Sequence, residues 1–534
     1  MKLAQTYSWN AQNYDKFSPL ILDYLTQNEK AAEFYSDFPD ETTFIQQAKS
    51  KLKTYQHRET VYSALKKQLQ TLDLSDKQVE NLEKFKLENS ITITTGHQLN
   101  LFTGPLYFFH KIIQVIKASN EMTAKYPNFN FIPVFWMATE DHDFEEINHF
   151  YFQNEKISWN KKAQGAVGKL DLEGVSSVFA EFFEKFPDSQ RKKELENLVN
   201  SSYLNSKNLT EATQKLVQGF FGEYGLLLLD GDTKELKKLM IPAFQEDLIQ
   251  NSAFTIVGNT NRKLEEKGYH QQVHPREINL FYLGNGEIRE RIVSLNGNFH
   301  VLNSEIQFSQ QEIIQELQDF PEKFSPNVIL RPLYQETILP NIAYVGGSGE
   351  IAYWLQLKDF FESQNVLFPL LVVRNSLLFI SEKQRLKLEK LNIKYEDLFL
   401  PFSQLLNQNI EKNSSVQIPF EDYSKKLQCI FDELKEKAIE TDISFSKMVE
   451  AQQKKQLSGL EKMKNRLIKA EKRQQSERVK RIEELYESLF PKGILQERIL
   501  NFSVLYLEYG KEFIEAIFNE IEPIDFRFII KSLV

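Results

Sequence analysis

Residues 91–149 constrain the fold more than any other stretch. A short β-branched run, a polar turn with two glycines, an amphipathic helix and a second apolar run follow in close order and end on a cluster of acids. Residues 91–95 read as a buried strand. The turn after it holds Gly96, His97, Gln98, Asn100, Thr103, Gly104 and Pro105. Pro105 suits the first turn of a helix, which the apolar spacing places over residues 106–118. A second strand, residues 131–137, runs directly into Glu140, Asp141, His142 and Asp143. In open α/β sheets ligands bind beyond the carboxyl ends of adjacent parallel strands. The two polar clusters are therefore expected to line one pocket.

The alternation continues. Residues 1–90 have helical apolar spacing, and a polar segment at about 152–210, with helical patterns at 178–186 and 191–199, reads as an insertion between core strands. A helix over 212–221 leads to an apolar strand, 225–229, that ends on Asp230-Gly231-Asp232, and a helix over 233–250 follows. This order favours an α/β fold with a doubly wound parallel sheet. Alternating residues from 279 to 302 around Gly284-Asn285-Gly286 predict a β-hairpin, and strands are expected at 328–331 and 367–374.

A chain of 534 residues exceeds one hydrophobic core. The expected division is a core over 1–385 and a helical C-terminal domain over 386–534. Between Pro419 and Pro491 lie 71 residues with no proline and one glycine. Leu427, Ile430, Leu434 and Ala438 mark one apolar stripe, Leu460, Met463, Leu467 and Ala470 a second, and Ile482, Leu485 and Leu489 a third. A break at Thr441-Asp442 would fold the run into an antiparallel coiled-coil hairpin, through which a homodimer is expected. Basic residues outnumber acidic ones along it, which fits either a solvated face or a basic surface for a partner.

Several function classes are disfavoured. The net charge of −9 argues against a dedicated nucleic-acid binder. No apolar run is long enough to span a bilayer, and the N-terminus lacks an apolar signal-like region, so a cytoplasmic protein is expected. The single cysteine, Cys429, reads as a small core or interface residue. His142 and His149 have no evident third ligand, so no zinc site is expected. Asp143 would cap a helix beginning at Phe144, with Glu146 completing the box, which leaves Glu140 and Asp141 the stronger functional candidates. All eight histidines lie at or before His300, which places any chemistry in the N-terminal two-thirds.

Two further elements could bind ligand. A strand and GGSG turn at 342–349, followed by a helix over 350–361, would form an anion nest. Arg331, Tyr344, Gly347, Ser348 and Trp354 lie near it in sequence, and Arg374 and Asn375 end the strand at 367–374. Neither a GxxxxGK[ST] nor a GxGxxG motif occurs.

The segments TGHQLNLFTGPLY, PVFWMATEDHDFEEINH, YVGGSGEIAYWLQLKDFF and PKGILQERILNF together resemble the BshC family, the cysteine ligases assigned to bacillithiol biosynthesis, and the similarity runs the length of the chain. The resemblance implies a Rossmann-like core with connecting-peptide insertions like those of class I aminoacyl-tRNA synthetases, and a C-terminal coiled coil. It implies cysteine and glucosaminyl-malate as substrates, with ATP and Mg²⁺ as the activating cosubstrate. Gly96, His97, Gln98, Asn100, Thr103 and Gly104 would hold ATP phosphates. Glu140, Asp141, His142 and Asp143 would act on the reacting amine. Tyr107, Arg331, Tyr344, Gly347, Ser348, Trp354, Arg374 and Asn375 would hold the sugar and malate. Many relatives carry Gln where this chain has His97, so no catalytic role unique to that imidazole is implied. Two other readings remain open: a nucleotide-binding coiled-coil interaction protein, and a nucleotidyl transferase without ligase activity.

Overall fold

Five short apolar runs become the strands of one parallel sheet: β1 (Ser90–His97), β2 (Asn130–Met137), β3 (Leu227–Asp230), β4 (Asn341–Gly346) and β5 (Leu370–Val373). Their order across the sheet is β5-β4-β1-β2-β3, and every pairing is parallel. This is the Rossmann order, which reverses direction between β1 and β4. Helices cover both faces, so the strands are buried throughout, and the polar Thr92 and Thr94 of β1 are satisfied by Asn341 Oδ1. Ile91 and Ile93 of β1 pack with Ile342, Ala343 and Val345 of β4. Val115, Ala118 and Met122 of helix α1 (Tyr107–Lys125) join the same cluster, together with Phe44 and Ala48 of the helix Glu41–Thr54.

The computed structural model describes the backbone of Leu3–Trp9 and residues 17–533 apart from 285, 287, 415–417, 441 and 442. The chain divides into two compact units. One comprises Met1–Leu378 and Ile494–Lys531, the other Phe379–Gly493 and Ser532–Val534. The segment after the coiled-coil helices thus belongs to the Rossmann-like unit.

Within that unit the polar insertion carries a hairpin, His149–Phe152 with Glu155–Ser158, and the helices Val175–Glu184 and Gln190–Tyr203. The antiparallel strands Leu280–Tyr282, Glu290–Leu295 and Asn298–Val301 belong to a second, five-stranded sheet; the Asn285 at the expected turn lies outside the described residues. Three expectations are corrected. Residues 328–331 are not a strand. The Asn327 side chain accepts from the Ile329 and Leu330 amides and turns the chain into a helix, Leu330–Ile338, while the strand lies earlier, at Phe324–Pro326. The helix expected at 350–361 is two, α2 (Ser348–Trp354) and Lys358–Ser363, and the break lets buried Gln356 accept from the Gln272 and Val273 amides. The helix expected at 233–250 breaks at a 3-10 turn, Lys238–Met240, before Pro242 starts Ile241–Gln250.

In the other unit, Phe420–Ile439 and Ile443–Gln474 pack against each other and Ser476–Leu489 follows. The expected break at Thr441-Asp442 falls outside the described residues. The first apolar stripe is only partly right: Ala438 is buried, but Ile430 and Leu434 are 54% and 46% exposed. Met463 of the second stripe is also exposed, whereas Ile482, Leu485 and Leu489 are buried. Cys429 is exposed rather than a core residue. No helix among the described residues is long and apolar enough to cross a membrane.

Candidate functional site

A cavity of about 770 Å³ opens at the carboxyl ends of β1, β2, β4 and β5, around the point where strand order reverses. Its volume lies in the range of small-ligand pockets. Register makes this convergence unavoidable. His97 pairs with Met137, Tyr344 with Thr94, and Gly346 with Val373, so the four strands deliver the residues after them to one rim.

One wall is acidic. Gln98 Nε2 donates to Asp141 Oδ2 at 2.7 Å and to Glu146 Oε2 at 2.9 Å, joining the loop after β1 to the loop after β2. Burial alone would raise the Asp141 carboxyl. Hydrogen bonds from His142 and Gln98 and the charge of Arg289 outweigh it and hold the group well below the usual range. Arg289 Nη1 lies 2.7 Å from His142 Nδ1, with its guanidinium over the Phe281 ring. Glu140 pairs with fully buried Lys237 at 2.6 Å, and Lys237 also pairs with Asp232 at 2.7 Å. Burial pushes Glu140 up despite that lysine. Lys237, with a carboxylate on either side, stays protonated. The insertion braces this wall: Val167 N donates to Asp141 O, and Gly168 N to Thr139 O at 2.9 Å. A Cβ on Gly168 would stand 2.7 Å from that same carbonyl, so only glycine allows the approach.

The opposite wall is cationic. Lys111 of α1 is buried beneath the end of β1 and donates to Gly96 O at 2.6 Å and to both oxygens of Glu350 at 2.9 and 2.8 Å. Glu350 also accepts from Tyr344 Oη and Gly347 N. Burial would raise Glu350, but Lys111 and these donors bring it down to about 2. The GGSG turn is therefore not an open anion nest, because its Gly347 amide is already bonded to the protein's own carboxylate. Arg331 donates to Gln335 Oε1 and Tyr353 Oη, and Arg374 lies over the Tyr107 ring, 4.7 Å from its centre.

Of the residues singled out in the sequence, Gly96, His97, Gln98, Tyr107, Glu140, Asp141, His142, Arg331, Tyr344, Gly347 and Arg374 line the cavity. The others do not. Asn100, Thr103 and Gly104 sit in a buried turn in which Phe102, Thr103 and Gly104 all have φ between 52° and 66°. Asn501 Nδ2 donates to Phe102 O and Gly104 O and holds that turn shut. A Cβ at Gly104 would meet Asn100 Cβ at 2.7 Å, so this glycine serves the turn. Asp143 accepts from Glu146 N as a helix cap, while the Glu146 carboxylate turns to Gln98 rather than closing the box. Trp354 stacks behind Tyr344 at 4.5 Å, and Asn375 is fixed by Gln114 and by the carbonyls of Glu522 and Asp525. Ser348 meets the cavity only through Arg498, which donates to its Oγ at 3.1 Å. Lys111, Lys237, Arg289, Glu350 and Arg498 were not anticipated as site residues. Lys111 and Lys237 lie inside helices and Arg289 immediately before a strand, while Glu350 and Arg498 lie within the quoted segments but carry no local sign of facing the cavity.

Burial, then the Lys111 charge, pulls His97 down to about 3, so its imidazole is neutral near pH 7. Its Nε2 is buried and makes no hydrogen bond within the protein. The imidazole is thus suited to hydrogen bonding a ligand, which a glutamine amide could also do. In the unfolded chain it titrates near 6.5, so its contribution to stability falls as pH drops from about 6.5 towards 3. His97→Gln should lose less stability than the parent between pH 7.5 and pH 5, by up to about 2 kcal/mol in urea midpoints converted to free energy. Equal losses would show that the imidazole titrates normally.

Family models match the whole architecture. "Bacillithiol biosynthesis BshC, N-terminal Rossmann-like domain" covers residues 5–375 and "Bacillithiol biosynthesis BshC, C-terminal coiled-coil domain" residues 377–533. A Flavobacterium psychrophilum protein named "Putative cysteine ligase BshC" is 45% identical over 522 residues, 96% of this chain and 97% of its own. Proteins of the same name from Flavobacterium johnsoniae and Cytophaga hutchinsonii are 44% and 37% identical, each over 97% of this chain and over 98% and 97% of their own.

Proposed function

The chain belongs to the BshC family of bacillithiol biosynthesis, and from that membership and the two-walled cavity we propose that it is a ligase joining the carboxyl group of cysteine to the amine of glucosaminyl-malate. The observation that carries this reading is the opposition of charge across one cavity at the sheet's switch point. Arg331, Arg374 and Arg498 lie on the wall built around Lys111, and Glu140 and Asp141 on the wall that Arg289 partly neutralises. An acceptor with an amine at one end and a dicarboxylate at the other matches that polarity. Asp141, held ionised by Gln98, His142 and Arg289, orients the amine. Glu140, raised by burial, takes the proton released when nitrogen attacks the activated carboxyl.

Amide formation from a free carboxylate needs activation, for which we propose ATP with Mg²⁺. Gly96, His97 and Gln98 line the cavity at the end of β1, where a phosphate chain would sit within reach of His97 Nε2 and the cationic wall. No group of three His, Cys, Asp or Glu among the described residues could hold a metal ion, so Mg²⁺ would enter with the phosphates. The protein's own contribution is then positioning and charge stabilisation. Thiol profiling of a strain lacking this chain tests the reading. Loss of the cysteine-containing thiol with accumulation of glucosaminyl-malate is expected, and an unchanged profile would count against it.

The coiled-coil unit is proposed to pair two copies. Ile430 and Leu434 are exposed at i,i+4 on one face of the helix Phe420–Ile439, an apolar stripe suited to a second helical hairpin. Light scattering on the double variant Ile430→Glu, Leu434→Glu should give half the mass of the parent. An unchanged mass would place the interface elsewhere.

A further inference from the structure

The cationic side of the cavity lacks direct charge pairing at two places. Lys111 is matched by Glu350 at 2.8 Å and Arg374 by Glu497 at 2.8 Å. Among the described residues, Arg331 and Arg498 have no carboxylate partner. Arg331 is held by the neutral Gln335 and Tyr353 side chains, and Arg498 by Ser348 Oγ alone. Both line the cavity, so this wall presents two guanidinium groups without a direct ion pair, Arg331 feeling only the more distant charge of Glu350. Arg374, which also lines the cavity, is 4% exposed. One Nη donates to Asn375 O, the other pairs with Glu497, and its Nε is buried without a hydrogen-bond partner. That Nε faces Gly347, where a Cβ would stand 3.6 Å away. A buried, unpartnered donor on a cavity wall is a group awaiting a ligand acceptor.

Glu497 and Arg498 are consecutive but do different work. Glu497, 1% exposed, accepts from Arg374, Ser376 Oγ and Leu377 N and lies 3.0 Å from His110 Nδ1. Burial would raise its carboxyl, but Arg374 and His110 hold it ionised, and with every oxygen engaged it cannot serve as a base for substrate. Arg498 points the other way, exposed, into the cavity.

We propose that Arg498 and Arg331, together with Arg374 Nε, clamp the two carboxylates of the acceptor, and that Glu497 is the positioning residue that fixes Arg374. The proposal rests on the ligase reading for the identity of the acceptor, but the clamp can be tested without turnover. Two positive charges match two carboxylates, and a planar guanidinium engages each with directed hydrogen bonds. The segment after the coiled-coil helices therefore supplies specificity to the Rossmann-like site.

Calorimetry with the full chain, titrated with glucosaminyl-malate and with methyl glucosaminide, which lacks both carboxylates, separates the contributions. Arg498→Gln, at an exposed position that folding does not need, should weaken glucosaminyl-malate by about tenfold to a hundredfold and leave methyl glucosaminide unchanged. Glu497→Gln should weaken it as well, with partial rescue in Glu497→Asp. In the ligation assay Arg498→Gln should raise the KM for acceptor with little change in kcat or in the KM for cysteine. A parent that ligates while Arg498→Gln binds acceptor normally overturns the clamp and leaves the ligase reading intact. A parent that binds acceptor through Arg498 but forms no amide overturns the ligase reading and leaves the clamp. A parent that does not bind glucosaminyl-malate overturns the clamp.

Discussion

Asp141→Asn should lower the rate of amide formation by about a hundredfold or more while leaving the fold intact. The substitution keeps the size of the side chain and an oxygen for the His142 amide, which donates to Asp141 Oδ1 at 2.7 Å. It removes the charge that faces Arg289 and, in the proposed complex, the substrate ammonium. Gln98 can still reach Glu146 at 2.9 Å, so the link between the loops after β1 and β2 survives. The change in unfolding free energy should therefore stay within about 2 kcal/mol, because one charge-assisted bond is weakened rather than a buried group orphaned. Rate and urea midpoint measured on the same preparation decide the matter. A rate that falls only as far as the folded fraction falls would reduce Asp141 to a structural role.

Lys111→Met is expected to have the largest effect on stability. Lys111 is buried, and it is the cation in direct contact with Glu350 while bonding the last carbonyl of the β1 turn, Gly96 O. Methionine fills most of the volume but leaves a carboxylate without its cation, a loss of about 3–5 kcal/mol for a broken buried pair. The pH dependence gives the effect a signature. In the parent, Glu350 sits at about 2, below its unfolded value of 4.5. It therefore contributes stability above pH 4.5 that is lost as pH falls towards 2. In the variant that contribution is gone, so the gap between parent and variant should be widest above pH 5 and narrow through the acid range. A gap independent of pH would mean that packing, not charge, is what Lys111 supplies.

These residues also show where the sequence was readable. The parallel sheet was legible because β1 and β2 are short, β-branched or apolar runs followed by polar turns with a helical segment between them, the order of a strand–helix–strand unit. Gln98 and Asp141 were legible as one site because strand ends converge in such a sheet. Lys111 was not, since a lysine on the helix 107–125 looks like any solvated residue until β1 is laid over it. Glu497 was beyond reach for a different reason: its partner His110 is 387 residues away in sequence. The turn misled in the opposite direction. Asn100, Thr103 and Gly104 have the chemistry of a phosphate loop, but three successive left-handed residues turn them inward against Asn501. In the helical hairpin, the 3-4 stripe through Ile430 and Leu434 predicted a packed face, and that face is exposed in the single chain.

The central claim is tested most directly by the reaction itself. Purified full-length chain would be given cysteine, glucosaminyl-malate and ATP with Mg²⁺, with the amide product and the nucleotide by-product identified by mass. The expected result is an amide that forms only when ATP is present, accompanied by AMP if the carboxyl is activated as an adenylate or by ADP if as an acyl-phosphate. Amide formed at the same rate without any nucleotide would contradict ATP activation, and no amide under any nucleotide would contradict the ligase assignment.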